Sequence, residues 1–219
     1  YYINERNLFY KHTIPMQIGI FFCSKNMGIK IAIQGIQGSF HHQVAHRYFG
    51  EAIGLDECSS FRDVVNSLKT NQSDKAIMAI ENSIAGAILP NYALIDSNDL
   101  HIIGEYFLDI HMNLMALSGQ KMEDITEVHS HPIALLQCAN FFSQYPHIKL
   151  VESSDTAITA KRIQENQLKG IGALAGPVAS EIYNLEIIAD GIHTVKSNKT
   201  RFVVLKASNK EIPKELINK

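Results

Sequence analysis

The chain has 219 residues, of which 46% are hydrophobic, enough for one large domain or two lobes of roughly 100 residues each. Twenty basic residues against 22 acidic ones leave a net charge of -2, and no stretch concentrates lysine and arginine. This balance argues against a nucleic-acid partner, which would require a basic patch.

Cysteine usage indicates the compartment. Cys23, Cys58 and Cys138 are odd in number and far apart, so they match neither a disulfide framework nor a paired metal or redox motif. A cytoplasmic protein is therefore expected.

The first 29 residues are predicted to be a leader outside the fold. They begin with Tyr1 and carry a short apolar run, 18–23, without a small-x-small cleavage site, so an export signal is not expected. Met27 is the predicted natural start, which would make the leader disordered or a reading-frame extension. No apolar stretch reaches the roughly 20 residues of a membrane-spanning helix, so no membrane association is expected.

From residue 30 onward, β-rich runs alternate with segments of helical period, which predicts an α/β fold with mostly parallel pairing. The predicted strands cover residues 31–34, 76–80, 101–104, 107–117, 127–130, 149–152, 171–174 and 201–206. The predicted helices cover residues 40–50, 61–69, 84–95, 132–145, 155–165 and 177–183. Residues 208–219 are predicted to be a charged, peripheral tail.

Three loops stand where a predicted strand passes into a helix, at residues 35–39, 81–83 and 153–156. Free amides and the helix dipole favour an anion at such places. The first loop, Gly-Ile-Gln-Gly-Ser, lacks the third glycine of a dinucleotide fingerprint and the Gly-Lys-Ser/Thr of a P-loop. Any one of these loops, taken alone, is better interpreted as a turn with a helix cap than as an anion-binding site.

Residues 198–202, Asn-Lys-Thr-Arg-Phe, open the last predicted strand. Because side chains alternate along a strand, Thr200 and Phe202 must face one side and Arg201 the other. The structural alternative is an ordinary strand entry, with Thr200 as a cap and Arg201 in a surface ion pair.

The histidines do not form a metal motif. His42 and His46 share a helix face, but no HExxH motif or cysteine pair completes a zinc site. His41, His42 and His46 are predicted to be exposed, and Cys138, at helical spacing among leucines and phenylalanine, is predicted to lie in the core.

Several segments, taken in order, resemble motifs of the prephenate dehydratases. Residues 35–40 resemble their Gly-x-x-Gly-Ser/Thr-Phe opening, 80–83 their Glu-Asn-Ser motif, and 198–202 their Asn-x-Thr-Arg-Phe motif. Between these lie the Ser-His-Pro helix start at 130–132 and the Asp/Ser-Thr-Ala cap at 155–157. The correspondence runs from about residue 30 to residue 205.

The resemblance implies two lobes similar to type II periplasmic binding proteins, with the active-site cleft between them. Residues 30–106 with 189–207 would form lobe 1, and residues 107–188 lobe 2. It also implies conversion of prephenate to phenylpyruvate, carbon dioxide and water on the route to phenylalanine, with no cofactor and no metal. Because relatives commonly associate, a homo-oligomer is expected.

The resemblance also assigns site residues. Thr200 is the expected catalytic residue. The expected substrate-binding residues share a place in or beside these motifs; they are Ser39, Asn82, Ser83, Ser130, His131, Thr156, Arg201 and Phe202.

Departures from the family pattern leave alternatives. The Glu-Ser-Arg-Pro motif of the ACT regulatory domain does not occur in the 219 residues, so phenylalanine feedback is not expected from them. Met112 stands where many relatives place histidine, and Ser39 and His41 replace the commoner threonine and serine. An arogenate dehydratase, or a non-catalytic solute-binding module of the same architecture, remains as an alternative.

Overall fold

Two mixed β-sheets organise residues 28–208, which are the residues that this computed structural model describes. In chain order the strands are β1 (Lys30–Gln34), β2 (Gly54–Cys58), β3 (Lys75–Asn82), β4 (Gly86–Ala87), β5 (Leu100–Asp109), β6 (Asn113–Ala116), β7 (Glu127–Ser130), β8 (Lys149–Glu152), β9 (Ile171–Ala175), β10 (Glu186–Ala189) and β11 (Lys199–Ala207). The helices are α1 (Phe40–Phe49), α2 (Phe61–Lys69), α3 (Leu89–Ser97), α4 (Pro132–Gln137), α5 (Ala139–Phe142), α6 (Thr156–Asn166) and α7 (Pro177–Ile182), with a 3-10 turn at Met122–Asp124. The predicted leader and tail lie almost entirely outside the described residues.

Each sheet is the centre of one lobe. The first sheet has the order β2-β1-β3-β11-β5, with β4 paired to β3, and the second has the order β10-β6-β9-β7-β8. The predicted α/β class with two lobes is confirmed. The prediction of mostly parallel pairing is wrong, because only β1 with β2 and β3, and β7 with β8 and β9, are parallel. Next to these groups, β11 runs antiparallel to β3 and β6 runs antiparallel to β9, and the outer strands β5 and β10 pair antiparallel with β11 and β6.

Three predicted elements differ from the structure. The predicted strand 107–117 is interrupted at residues 110–112, because β5 belongs to the first sheet and β6 to the second. The predicted helix 132–145 breaks at Cys138, since the Gln137 carbonyl accepts a hydrogen bond from Thr194 instead of continuing the helix. The predicted helix 84–95 begins later, with Pro90 in its first turn, because Gly86 pairs with β3 as part of β4.

Three strands were not predicted: the short β4, and β2 and β10. Both β2 and β10 lie at the edge of their sheets. The β2 sequence, Gly-Leu-Asp-Glu-Cys, carries two acidic residues, and β10 begins with Glu186. Charged residues are common on edge strands because they discourage pairing with other chains, so the hydrophobic pattern that predicts buried strands is weak there.

The chain crosses between the sheets twice, at residues 110–112 and 190–198. These two crossing segments lie side by side: the Ile110 amide donates to the Asn198 carbonyl at 2.8 Å, and the Ile192 amide to the Met112 carbonyl at 2.8 Å. Residues 107–109 pair with β11 in the first sheet. This pairing favours 110–112 over residue 106 as the place where the first lobe ends.

One buried hydrophobic cluster extends across both lobes. It includes Ile33 and Leu108 from the first sheet and Leu114 and Leu174 from the second, each at most 1% exposed. Cys138, fully buried in the same cluster, occupies the predicted core position. Among residues 28–208, no helix is both long enough and apolar enough to cross a membrane.

Candidate active site

A cavity of about 710 Å³ lies between the two lobes. Its walls come from the ends of β1 and β3, the start of β11 and the starts of α1 and α2 in the first lobe, and from α4 and the start of α6 in the second. Of the predicted site residues, the cavity brings together Asn82, His131, Thr156, Thr200 and Phe202. Residues far apart in the sequence therefore line one cavity.

Thr200 and Asn82 form the polar centre of this cavity. They are register partners on β11 and β3, and the Asn82 amide Nδ2 donates to Thr200 Oγ1 at 2.9 Å and to Asn198 Oδ1 at 2.7 Å. The Asn82 Oδ1 in turn accepts from the amides of Ile84 and Ala85, both at 3.0 Å, which holds the side chain in place. Because Nδ2 occupies a lone pair of the Thr200 oxygen, the hydroxyl hydrogen is left to donate elsewhere.

Three longer helices begin at the cavity wall. Phe40 starts α1, Phe61 starts α2 and Thr156 starts α6, and all three side chains line the cavity. The caps are Ser39, Ser60 and Asp155, each accepting from an amide in the first turn. Helix starts present free amides and a partial positive charge, so the cavity suits an anionic ligand.

Charged side chains are scarce in this cavity. Among the described residues that line it, none is lysine or arginine, and Asp155 is the one carboxylic acid. Burial raises the pKa of Asp155, while amide donors at Ala157 and Ile158 oppose that rise. An anion here would be held by neutral donors and helix dipoles rather than by a basic side chain.

Gly35 permits the close approach of the lobes. It has φ of +95°, and a Cβ at this position would lie 3.0 Å from Asp155 Oδ2. A side chain at residue 35 would both strain the turn and press on the α6 cap. The glycine predicted from the first motif thus serves the packing between lobes as well as the turn.

His131 caps α4 at the second-lobe wall. Its Nδ1 accepts from the Ile133 amide at 3.3 Å, which favours the tautomer that carries its proton on Nε2. The His131 ring lines the cavity and is close enough to Asp155 to lower the pKa of that carboxyl. His131 can therefore offer a second donor from the lobe opposite Thr200.

Four of the predicted site residues are not part of the cavity wall. Ser39 is buried as the α1 cap, and Ser83 accepts from the Lys199 amide at 2.9 Å in an exposed turn. Ser130 is fully buried and donates to the Leu174 carbonyl at 2.6 Å. Arg201 lies on the other face of β11, where its Nη2 pairs with Glu105 at 2.7 Å.

The Ser130 hydrogen bond leads to a stability prediction. Ser130→Ala would leave the buried Leu174 carbonyl without this donor, so we expect the free energy of unfolding to fall by about 1–3 kcal/mol. Urea unfolding followed by circular dichroism measures this change. Ser143→Ala, which removes an exposed local hydrogen bond to Asn140, should leave stability within about 0.5 kcal/mol and is the control. Equal stability of the two variants would contradict the prediction.

The prediction that three histidines are exposed on α1 is wrong. His41 is 8% exposed and points into the first lobe, and His42 and His46 are half-buried with ring centroids 4.6 Å apart. The hydrophobic period misleads here because α1 packs one side on the sheet and another beside α7. His42 and His46 line a second cleft, of about 910 Å³, between those helices.

That second cleft is larger but poorly suited to an anion. Glu51, Glu57 and Glu181 line it, and Arg47 is its one arginine or lysine among the described residues. It also contains none of the predicted site residues. The smaller cavity around Thr200 is therefore the candidate active site.

The sequence interpretation did not select several cavity residues as ligand contacts. Ser59, Ser60 and Phe61 arrive with α2, and their Ser-Ser-Phe-Arg-Asp sequence carries a cap signal that could have indicated a fourth anion-favouring helix start. Gln137 also lines the cavity, and its Oε1 accepts from Asn198 Nδ2 at 3.0 Å. It continues the hydrogen-bonded chain from Thr200 into the second lobe.

Comparison with known proteins shows the family of the chain. The family model described as prephenate dehydratase matches residues 31–210. A bifunctional chorismate mutase/prephenate dehydratase of Buchnera aphidicola is 33% identical over 89% of this chain and 52% of its own length. The chloroplastic arogenate dehydratase/prephenate dehydratase 6 of Arabidopsis thaliana is 35% identical over 81% of this chain and 43% of its own length. The chain thus spans about half the length of these relatives.

Among solved structures, a prephenate dehydratase from Arthrobacter aurescens in complex with L-Phe has a TM-score of 0.76 and 23% identity, covering 85% of this chain and 63% of that one. This likeness shows a shared fold. The family match extends over nearly all of the described residues and includes every strand and helix that borders the cavity. The chain belongs to the prephenate dehydratase family.

Proposed function

We propose that this chain converts prephenate to phenylpyruvate, carbon dioxide and water. The observation that carries the proposal is the Thr200 hydroxyl, held by Asn82 in a cavity where three helices begin and where no lysine or arginine lines the wall among the described residues. Membership of the family supports the same reaction.

The reaction depends more on correct positioning of the substrate than on a strong acid. The bond from the ring to its carboxylate breaks, and its electron pair completes the aromatic ring as carbon dioxide leaves. The bond from the ring to its hydroxyl breaks at the other end, and the departing oxygen takes a proton to become water. Aromatisation drives both changes, so a site that aligns the ring and stabilises the departing oxygen can accelerate the reaction without a metal or cofactor.

The residues divide the work between the two lobes. Thr200 donates its hydroxyl hydrogen to the departing oxygen, with Asn82 orienting Thr200. Thr156 and the amides at the start of α6 receive a carboxylate, and His131 donates from the same lobe. Phe202, 2% exposed and beside Thr200 on β11, supports the ring from the first lobe.

The direct test is turnover by the 219-residue chain. We expect purified protein incubated with prephenate to produce phenylpyruvate, detected by its absorbance in alkali, at a rate well above that of the same mixture with heat-denatured protein. Ligand binding without product would favour a solute-binding module, and the absence of both would overturn the proposal.

Arogenate is the second candidate substrate, because several relatives are named arogenate dehydratases. Arogenate differs from prephenate in carrying an amino acid in place of the keto acid, so its product is phenylalanine. Parallel assays at equal concentrations, with phenylalanine measured by chromatography, would establish the preference. Asp155 is the one carboxylic acid among the described residues that line the cavity, so it is the group that could pair with the ammonium of arogenate.

A cytoplasmic location and a homo-oligomer belong to the same proposal. Cys58 and Cys138 are free thiols in the described residues, as is common in a reducing compartment. Fractionation of cells and light scattering of the purified chain would test the two points separately.

A further inference from the structure

His41 lines the cavity from the first turn of α1. Its ring contacts Phe202 edge-on with centroids 5.0 Å apart and Phe61 with centroids 5.5 Å apart. Its Nε2 accepts from the Ala79 amide at 3.2 Å. Three elements, β3, β11 and α2, therefore hold this imidazole in one orientation.

Ala79, the donor to His41, lies beside an irregularity in the sheet. The register between β3 and β11 shifts between Arg201 and Phe202, which face Glu81 and Ala79. At this bulge both backbone groups of Ala79 are satisfied by side chains, since its carbonyl accepts from Asn91 Nδ2 at 2.7 Å. His41 is thus needed as an acceptor at Nε2.

The acceptor role determines where the proton of the ring is. A neutral imidazole that accepts at Nε2 must carry its hydrogen on Nδ1. Burial lowers the pKa of His41 to about 3, so the ring stays neutral at physiological pH. Within residues 28–208, no protein group forms a hydrogen bond with Nδ1 of His41. This nitrogen is not completely buried, and His41 lines the cavity, so Nδ1 is reachable from the cavity.

We propose that His41 is a substrate-binding residue, which donates Nδ1–H to an oxygen of the bound carboxylate-bearing substrate while its Nε2 anchors the ring to β3. The inference rests on the proposed function and adds to it a contact from α1. A neutral donor also fits a cavity that holds an anion without lysine or arginine at its described wall.

Two substitutions separate the two nitrogens. His41→Gln can keep an acceptor near the Nε2 position but has no donor near Nδ1, so we expect KM for prephenate to rise about 10-fold with the melting temperature within about 2 °C of the wild type. His41→Asn can keep a donor near Nδ1 but cannot reach Ala79, so we expect the melting temperature to fall by about 4–8 °C and KM to change by less than about 3-fold. His46→Gln, on the same helix but in the other cleft, is the matched control and should change neither quantity.

A spectroscopic measurement decides the same point without turnover. In protein carrying 15N-labelled histidine, one ring should show the tautomer with Nδ1 protonated, unchanged between pH 8 and about pH 5. Adding phenylpyruvate should shift its Nδ1 signal, and the signal should be missing from His41→Gln. An unshifted signal, or a His41→Gln enzyme with wild-type KM, would overturn the inference. A wild-type chain that binds phenylpyruvate through His41 but does not convert prephenate would overturn the proposed function and leave this inference standing.

Discussion

Replacing Thr200 with alanine should lower kcat for prephenate by about 100- to 1,000-fold, the usual cost of removing one donor that stabilises a developing negative oxygen. The hydroxyl is the group that β11 presents to the cavity beside Phe202, and Asn82 leaves its hydrogen free to donate. KM should change much less, because the carboxylates of the substrate are held elsewhere. Steady-state kinetics with phenylpyruvate detection measure both constants.

Thr200→Ser is the matched control, since serine keeps the hydroxyl and loses one methyl group. It should retain most of the turnover, and both variants should show the wild-type circular dichroism spectrum. If Thr200→Ala kept wild-type kcat, another group would have to assist the departing oxygen, and the assignment of Thr200 would be wrong.

Replacing Asn82 with aspartate should lower kcat/KM by about 1,000-fold, from the combined loss of a part-buried donor and the introduction of a negative charge near an anionic substrate. Aspartate keeps the acceptor that holds the amides of Ile84 and Ala85, so the turn after β3 should persist. What is lost is the donor to Thr200 and Asn198. The variant therefore tests orientation and charge with little change in shape.

Asn166→Asp is the control for this substitution. Asn166 is an exposed amide at the end of α6 that donates to the Arg162 carbonyl, away from the cavity. It should leave kcat/KM unchanged within about 2-fold. An Asn82→Asp enzyme as active as this control would show that the bond between Asn82 and Thr200 has no part in the reaction.

The predicted bounds of helices and strands are correct where local sequence signals determine them. Helix α2 and strands β7 and β8 have the predicted bounds, because each has a clear hydrophobic period and a local stop signal. The interruption at 110–112 and the break at Cys138 were not predictable from periodicity. Both arise from hydrogen bonds to residues 190–198, which are distant in the sequence.

For the candidate site, too, some features follow from the local sequence and others depend on tertiary packing. Thr200 and Phe202 face one side together because of the alternation along a strand, which is a local property. The same alternation places Arg201 against Glu105 and away from the cavity, although the resemblance suggested it as a substrate contact. His41, the residue directly after the first motif, could not be identified as a cavity residue, since its helix period does not reveal which neighbour covers each side.

The sequence by itself determined the family, the order of most elements and the chemistry of the motif residues, because caps, turns and side-chain alternation depend on near neighbours. Only the tertiary structure decided which of those residues share a cavity. Asn82 and Thr200 are 118 positions apart and meet through strand register, and Ala79 of β3 meets His41 of α1 only in the folded chain. Contacts of this kind depend on how two sheets and their helices pack, and no local pattern records that packing.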